Sequence, residues 1–167
     1  MKEVAILLVL VVLLNGCGTN APTVQSTAGG TWQAQLLGGT GNSSGFSFIS
    51  QFTVGGAGVL SISSFQFLTQ VTNGQVPNTP VCFPVNGGTV SGLMILTVNT
   101  NNSVTGPFTF VVQSNGNTLT LTGTVTGTAT NGTTLVGSSV TGNWALTGGG
   151  TGGCANAAGS FSMLQAS

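Results

Sequence analysis

Residues 117–127, Asn-Thr-Leu-Thr-Leu-Thr-Gly-Thr-Val-Thr-Gly, alternate threonine with an apolar residue or glycine. Successive side chains of a β-strand point to opposite faces, so this period of two predicts a strand with one apolar face and one hydroxyl face. The threonine row continues at every second position to Thr130. The stretch is therefore expected to be a half-buried strand whose apolar face joins a core.

The same alternation recurs along the chain after residue 30, and no segment beyond the N-terminal leader has helical spacing. The glycine and asparagine pairs at 55–56, 101–102 and 131–132 and the run 114–117 are turn signals between these segments. The sequence therefore predicts an all-β, antiparallel domain of about eight strands. These are expected at residues 31–37, 45–54, 58–70, 88–99, 103–113, 117–127, 133–147 and 158–165.

A tripeptide, Val-[Ser/Thr]-Gly, occurs four times, beginning at Val90, Val104, Val125 and Val140. In three copies a bulky apolar residue follows two positions after the glycine: Met94, Phe108 and Trp144. Valine, glycine and bulky residue then share the core face of a strand. Core-facing glycines let a sheet coil tightly, and closing the sheet into a barrel removes the free edges that an uncharged protein cannot protect with Lys or Glu.

The segment Gly30-Thr31-Trp32, at the start of the first predicted strand, is similar to the Gly-x-Trp motif of lipocalins and related calycin barrels. The resemblance implies an up-and-down barrel of eight strands, with Trp32 covering one end. The basic residue that packs over this tryptophan in lipocalins has no counterpart, because the domain contains no Lys or Arg. A β-sandwich explains the same alternation and stays the alternative fold.

Residues 1–16 have the pattern of a signal peptide. Lys2 precedes eleven apolar residues, Val4 to Leu14, which are too few to span a bilayer. The run ends in Leu14-Asn-Gly-Cys17, which resembles the lipobox of bacterial lipoproteins. The resemblance implies cleavage before Cys17, a diacylglyceryl thioether on its sulfur and an acyl chain such as palmitate on its amino group. An ordinary secretory leader with a coincidental cysteine is the alternative.

These features divide the chain into three parts. Residues 1–16 are the signal peptide, residues 17–30 are the lipidated cysteine with a flexible tether, and residues 31–167 are one all-β domain. Gly18 stands where aspartate marks inner-membrane retention in some bacteria, so the expected location is the cell envelope, with the outer membrane preferred. The membrane is thus the first expected partner, reached through lipid on Cys17.

Three cysteines are an odd number for an exported chain. If Cys17 carries lipid, Cys82 and Cys154 remain as a pair in an oxidising compartment, where a disulfide is expected. It would close a loop of about 70 residues, worth ~4 kcal/mol in the chain-entropy model. No metal site is expected, since neither His nor carboxylate accompanies the thiols.

The charge content excludes most chemistry. Lys2 and Glu3 are the only charged side chains, and the chain has no His or Tyr. General acid–base catalysis, activated hydroxyl nucleophiles and calcium sites all need groups that the domain lacks. Nucleic-acid binding needs Lys or Arg on the phosphates. The protein is therefore expected to be neither an enzyme nor a nucleic-acid-binding protein, and no cofactor is implied.

Two features remain as candidates for function. The first is a set of aromatic residues that in a lipocalin-like barrel would line a pocket for a small apolar ligand, or else fill the core. The set comprises Trp32, Phe46, Phe48, Phe52, Phe65, Phe67, Phe108, Phe110 and Trp144. The second is the neutral surface of Ser, Thr, Asn and Gln, which would bind neutral glycans, associate with other copies of the chain, or be a passive solvated face. The expected function is thus a non-catalytic, lipid-anchored envelope protein that binds an apolar or neutral ligand. A structural or adhesive envelope component is the alternative.

Overall fold

A computed structural model describes residues 21–38, 46–68, 88–114, 116–148 and 157–166. In this part of the chain there are nine strands and one short helix. The helix is α1 (Ala21–Thr27), and the strands are β1 (Gly30–Gly38), β2 (Phe46–Val54), β3 (Leu60–Leu68), β4 (Thr89–Met94), β5 (Thr97–Val98), β6 (Ser103–Ser114), β7 (Asn117–Thr130), β8 (Thr134–Gly148) and β9 (Ala157–Gln165).

All strands belong to one antiparallel sheet in the order β3-β2-β1-β9-β8-β7-β6-β4, with β5 also paired to β6. β1, β2 and β3 pair in chain order, as do β5 to β9, and β1 pairs with β9. The two outer strands, β3 and β4, meet at one bridge between Val59 and Leu93, reinforced by a hydrogen bond from Met94 N to Gly58 O (2.8 Å). The predicted all-β, antiparallel up-and-down barrel is confirmed, nearly closed, with its seam between β3 and β4.

The strand predicted over 88–99 is interrupted, because β4 ends at Met94 and β5 begins at Thr97. Pro107, opposite the break on β6, accepts a hydrogen bond from Ile95 N (3.1 Å) but has no amide hydrogen to return. Both β4 and β5 pair with β6, so together they occupy one strand position. The barrel therefore has the eight positions that the sequence predicts.

Gly142, from the fourth copy of the tripeptide, lies on the core side as predicted, and so does its partner Gly123, which belongs to no copy of the tripeptide. One row across four strands reads Phe108, Gly123, Gly142 and Phe161, each paired with the next. A Cβ on Gly123 would meet the Thr141 carbonyl oxygen and come within 3.0 Å of the Phe161 ring. The two phenylalanine rings reach over the glycines and contact each other at a centroid distance of 6.3 Å. Absence of side chains at the two glycines thus lets rings from β6 and β9 meet inside the barrel.

The prediction of a flexible tether over residues 17–30 is wrong for the part that the structure describes. Residues 21–27 form α1, and Val24 and Ala28 have no exposed surface. Seven residues are too few to show a helical period, and Thr, Val and Ser are poor helix formers, so contacts with the barrel stabilise the turn. The folded domain therefore includes residues 21–30. Residues 17–20 lie outside the described part.

Helix α1 lies over the end of the barrel where β2, β5, β7 and β9 end and β3, β6 and β8 begin. We call this the α1 end. Thr89, Gln113, Thr118 and Thr147 form one register row at the other end, called here the distal end.

Candidate functional site

The aromatic residues singled out in the sequence converge on the barrel interior. Seven of them have at most 1% of their surface exposed: Trp32, Phe48, Phe52, Phe67, Phe108, Phe110 and Trp144. Phe65 is partly buried and packs against the same core. The side chain of Phe46 lies outside the described residues. One interior cluster therefore brings together eight of the nine.

The rings contact one another rather than surrounding a space. Phe48 is central, with ring centroids 5.3 Å from Phe110, 5.0 Å from Phe65 and 6.3 Å from Phe67. Phe108 continues the stack 6.2 Å from Phe110. A cavity large enough for a ligand would leave accessible surface on the rings lining it, and the seven buried rings have almost none. An eight-stranded barrel is just wide enough to be filled by side chains, which is what these rings do.

The two tryptophans lie near opposite ends of the barrel. Trp32, at the α1 end, stacks on Phe52 at 5.9 Å, and its indole nitrogen donates to the Ala28 carbonyl (3.0 Å). Trp144, toward the distal end, donates to the Leu37 carbonyl (2.9 Å). Each buried indole N–H thus has an acceptor in the backbone, as a buried polar group requires.

The α1 end is held together by Gln25, whose side chain is 4% exposed. Its Nε2 donates to the carbonyls of Gly55 (2.8 Å) and Gly56 (3.1 Å) in the β2–β3 turn. Its Oε1 accepts from the amide of Leu96 (3.2 Å), in the break between β4 and β5. One glutamine therefore ties α1 to both sides of the seam. Sequence reasoning missed this residue, since no local pattern shows where an isolated glutamine will bond.

Two further contacts fasten the same end. Thr27 Oγ1 accepts from the amide of Leu135 (2.9 Å) at the start of β8. Gln165 Nε2 donates to the Gly29 carbonyl (2.9 Å), and Gln165 Oε1 accepts from the Ser138 hydroxyl (2.5 Å). The segment from α1 to β1 is therefore bonded to β8 and β9 as well as to the seam.

The outer face of β6 to β9 carries hydroxyl and amide side chains in register. Thr122 pairs with Thr109 on one side and Asn143 on the other. Two rows along, the hydroxyls of Thr126 and Ser139 lie 3.0 Å apart. No aromatic side chain among the described residues falls in the exposed class. The face thus offers neutral hydrogen-bonding groups without the rings that usually stack on sugars.

The seam carries a surface groove of about 220 Å³, lined by Ile62, Ser63, Ser64, Phe65, Gly88 and Val90. Phe65 is partly buried and lines this groove, with its ring 5.9 Å from that of Phe110 on β6. At this place one ring of the interior cluster reaches the surface.

Cys17, Cys82 and Cys154 lie outside the described residues, so their predicted lipid and disulfide stay predictions. The strands that flank the two later cysteines are described. Leu68, Thr89, Gly148 and Ala157, which bound the two cysteine-containing segments, all lie at the distal end. Both cysteine-containing segments therefore leave and re-enter the barrel at its distal end.

Within the described ranges, no three His, Cys, Asp or Glu side chains come together as metal ligands. The helix present there is too short to cross a membrane. No protein-family model matches the chain, no curated protein matches its sequence, and no solved structure matches its fold.

Proposed function

We propose that the protein is a non-catalytic, lipid-anchored component of a bacterial cell envelope that acts through the neutral outer surface of its barrel. We place the function on the outer surface and not in the interior because the core is filled. Seven of its aromatic side chains have at most 1% of their surface exposed. A barrel filled in this way contributes stability and shape, which leaves the outside for contact with partners.

The anchor is supported by the sequence Leu14-Asn-Gly-Cys17 after an apolar leader. Two or three acyl chains make membrane attachment stable, whereas a single chain gives only reversible binding. The non-catalytic role is supported by the absence of Asp, Glu, His, Lys, Arg and Tyr after residue 3. Gly18 after the anchor cysteine favours the outer membrane over the inner.

The anchor is tested by expressing the full chain in a Gram-negative bacterium supplied with radiolabelled palmitate. We expect label in the wild-type protein and none in a Cys17→Ser variant, which would also move from the membrane fraction to the soluble fraction. Wild-type protein without label, recovered from the soluble fraction, would refute lipidation and leave the ordinary secretory leader.

The surface role predicts association that does not depend on charge. The protein from residue 21 onward should self-associate to the same extent at pH 5 and pH 7, and in 50 mM and 1 M NaCl, because it contains no Lys, Arg, His, Asp, Glu or Tyr side chain to be titrated or screened. Sedimentation velocity measures this directly. A species that stays monomeric at high concentration under all four conditions would contradict self-association.

A second candidate, binding of a small apolar ligand, is favoured by the groove over Phe65. A ligand entering there would contact Ile62 and Val90 and displace the Phe65 ring toward solvent. Titration with a fluorescent apolar dye should then show saturable binding that a Phe65→Ala variant changes more than an exposed Gln35→Ala variant. Equal behaviour of the two variants, or no saturation, would reject this role.

A further inference from the structure

The chain enters the folded domain much closer to the anchor cysteine than the sequence suggests. Ala21 is the first residue of α1, so only residues 18–20 separate it from Cys17. Consecutive Cα atoms advance by at most about 3.6 Å in an extended chain, so the four steps from Cys17 to Ala21 reach at most ~14 Å. A tether of this length is shorter than the barrel itself.

We propose that the α1 end of the barrel rests against the lipid bilayer and that the distal end points away from it. The proposal depends on the lipid anchor at Cys17 proposed above, and it specifies which surface meets the membrane. With a free tether of residues 17–30 any face of the barrel would be able to approach the bilayer, whereas the fastened α1 limits the approach to one end.

Helix α1 is unable to swing out and lengthen the tether without breaking buried contacts. Val24 and Ala28 have no exposed surface. Gln25 is bonded to the β2–β3 turn and to Leu96, and Thr27 is bonded to the amide of Leu135. The short tether is therefore attached to a fixed point on the barrel.

The surface at the α1 end suits a lipid headgroup layer. Three of its large apolar side chains are exposed: Val59 at 56%, Ile95 at 41% and Val136 at 43%. A Cβ built on Gly58 would lie 2.8 Å from the Ile95 side chain, and Val59 forms a bridge with Leu93, so Val59 and Ile95 lie close together across the seam. Asparagines in the β5–β6 and β7–β8 turns add neutral amides at the same end. At this end, apolar side chains would enter the interface and amides would lie at the headgroups. Because neither group is charged, anionic lipids do not repel this surface.

The distal end lies far enough away to be distinguished by experiment. Strand β7 runs 14 residues from Asn117 to Thr130, from the distal end to the α1 end. At about 3.3 Å per residue and the usual tilt of barrel strands, the two ends are about 30 Å apart. Quenching by a nitroxide on the lipid headgroup acts over a much shorter distance.

The test uses the mature lipoprotein in phosphatidylcholine vesicles that contain a headgroup-nitroxide lipid. One variant, Ala57→Cys, places a bimane dye on the exposed β2–β3 turn at the α1 end, and its match, Thr147→Cys, places it on an exposed position of the distal end. The parent chain, treated identically, corrects for dye taken up by Cys82 or Cys154. We expect quenching at position 57 to exceed that at position 147 at least threefold.

Equal quenching of the two dyes on vesicle-bound protein would overturn the orientation while leaving the anchor intact. Protein that does not sediment with the vesicles would overturn the anchor and the orientation together. Insertion of 15 Gly/Ser residues after Gly18 should bring the two quenching values together. An unchanged ratio after the insertion would show that the short tether does not set the orientation.

Discussion

At the scale of single residues, Gly123 and Gly142 show how the sequence makes room for its own core. They face each other on β7 and β8, between the rings of Phe108 and Phe161. A Cβ on Gly142 would meet the Thr122 carbonyl oxygen and lie 2.5 Å from the Gly123 Cα, and neither backbone atom is able to move aside. Both positions therefore require glycine because there is no space for a side chain, and not because the backbone adopts a positive φ.

We expect Gly142→Ala to lower the free energy of unfolding by about 2 kcal/mol or more, the usual cost of overpacking a core. Urea denaturation followed by tryptophan fluorescence measures the loss. Gly56→Ala is the matched control, since a Cβ there meets nothing within 4 Å. The control should change stability by only a few tenths of a kcal/mol, or raise it slightly through lower entropy of the unfolded chain. Equal stability of the two variants would disprove the close packing of the glycine row.

Gln25 is the residue on which the α1 end depends most. Replacing it by alanine leaves the buried Leu96 amide without its acceptor and the Gly56 carbonyl without its side-chain donor, while the Gly55 carbonyl keeps the hydrogen bond from Gly58 N. An unsatisfied buried group costs about 1–3 kcal/mol, so we expect Gln25→Ala to destabilise the protein by about 3 kcal/mol. Thermal unfolding compares it with Gln35→Ala, which removes an exposed glutamine from β1. A loss no greater than that of the control would mean that the three hydrogen bonds contribute little.

At the scale of elements, α1 is the part of the fold that behaves least as its sequence predicts. If residues 21–30 were a tether, a protein beginning at residue 31 would be as stable as one beginning at residue 21. The structure instead predicts a loss of about 3–5 kcal/mol, from the burial of Val24 and the hydrogen bonds of Gln25 and Thr27. Trp32 would also lose its acceptor on Ala28, so its fluorescence should shift to the red. Coincident unfolding curves for the two proteins would mean that residues 21–30 are a tether and do not stabilise the barrel.

The strands were predictable because period-two alternation is a local property, and so were their turns. Asn131 and Gly132 both adopt positive φ (54° and 68°), which matches the hairpin turn that the Asn-Gly pair predicts. The break after Met94 depends on Pro107 in the partner strand, and pairing must be known before that effect is visible. The bulge opposite Gln51 lets Leu60 and Phe67 both face inward although their spacing is odd. Features set by contacts between distant segments were the ones that the sequence concealed.

At the scale of the whole molecule, the two segments containing Cys82 and Cys154 begin and end at the distal end. Cys82 precedes Gly88 by six residues and Cys154 precedes Ala157 by three, which gives extended reaches of about 20 Å and 10 Å. An eight-stranded barrel is about 15 Å wide, so the proposed disulfide is within reach. Non-reducing peptide mass spectrometry of exported protein should find a peptide pair joined through these cysteines. Two free, alkylatable thiols would exclude the bond.

The folded domain as a whole should have a stability that does not change with pH. Stability depends on pH only where the folded and unfolded states bind different numbers of protons, and the described residues contain no ionisable side chain. Urea unfolding measured between pH 5 and pH 7 should therefore give the same midpoint concentration of urea, within experimental error. A slope in this range would require a titrating group outside the described residues.

A single substitution should make the stability of the domain depend steeply on pH. In Gln25→Glu the new carboxyl is buried between two carbonyls and the Leu96 amide, so only its protonated form donates to Gly55 or Gly56. Burial then raises the pKa of this carboxyl above its unfolded value of about 4.3. The variant should be most stable below pH 4 and lose stability as pH rises through the raised pKa. Exposed Gln35→Glu, measured beside it, should stay nearly flat from pH 5 to pH 7. A flat Gln25→Glu profile would mean that solvent reaches the site and that α1 does not seal its end of the barrel.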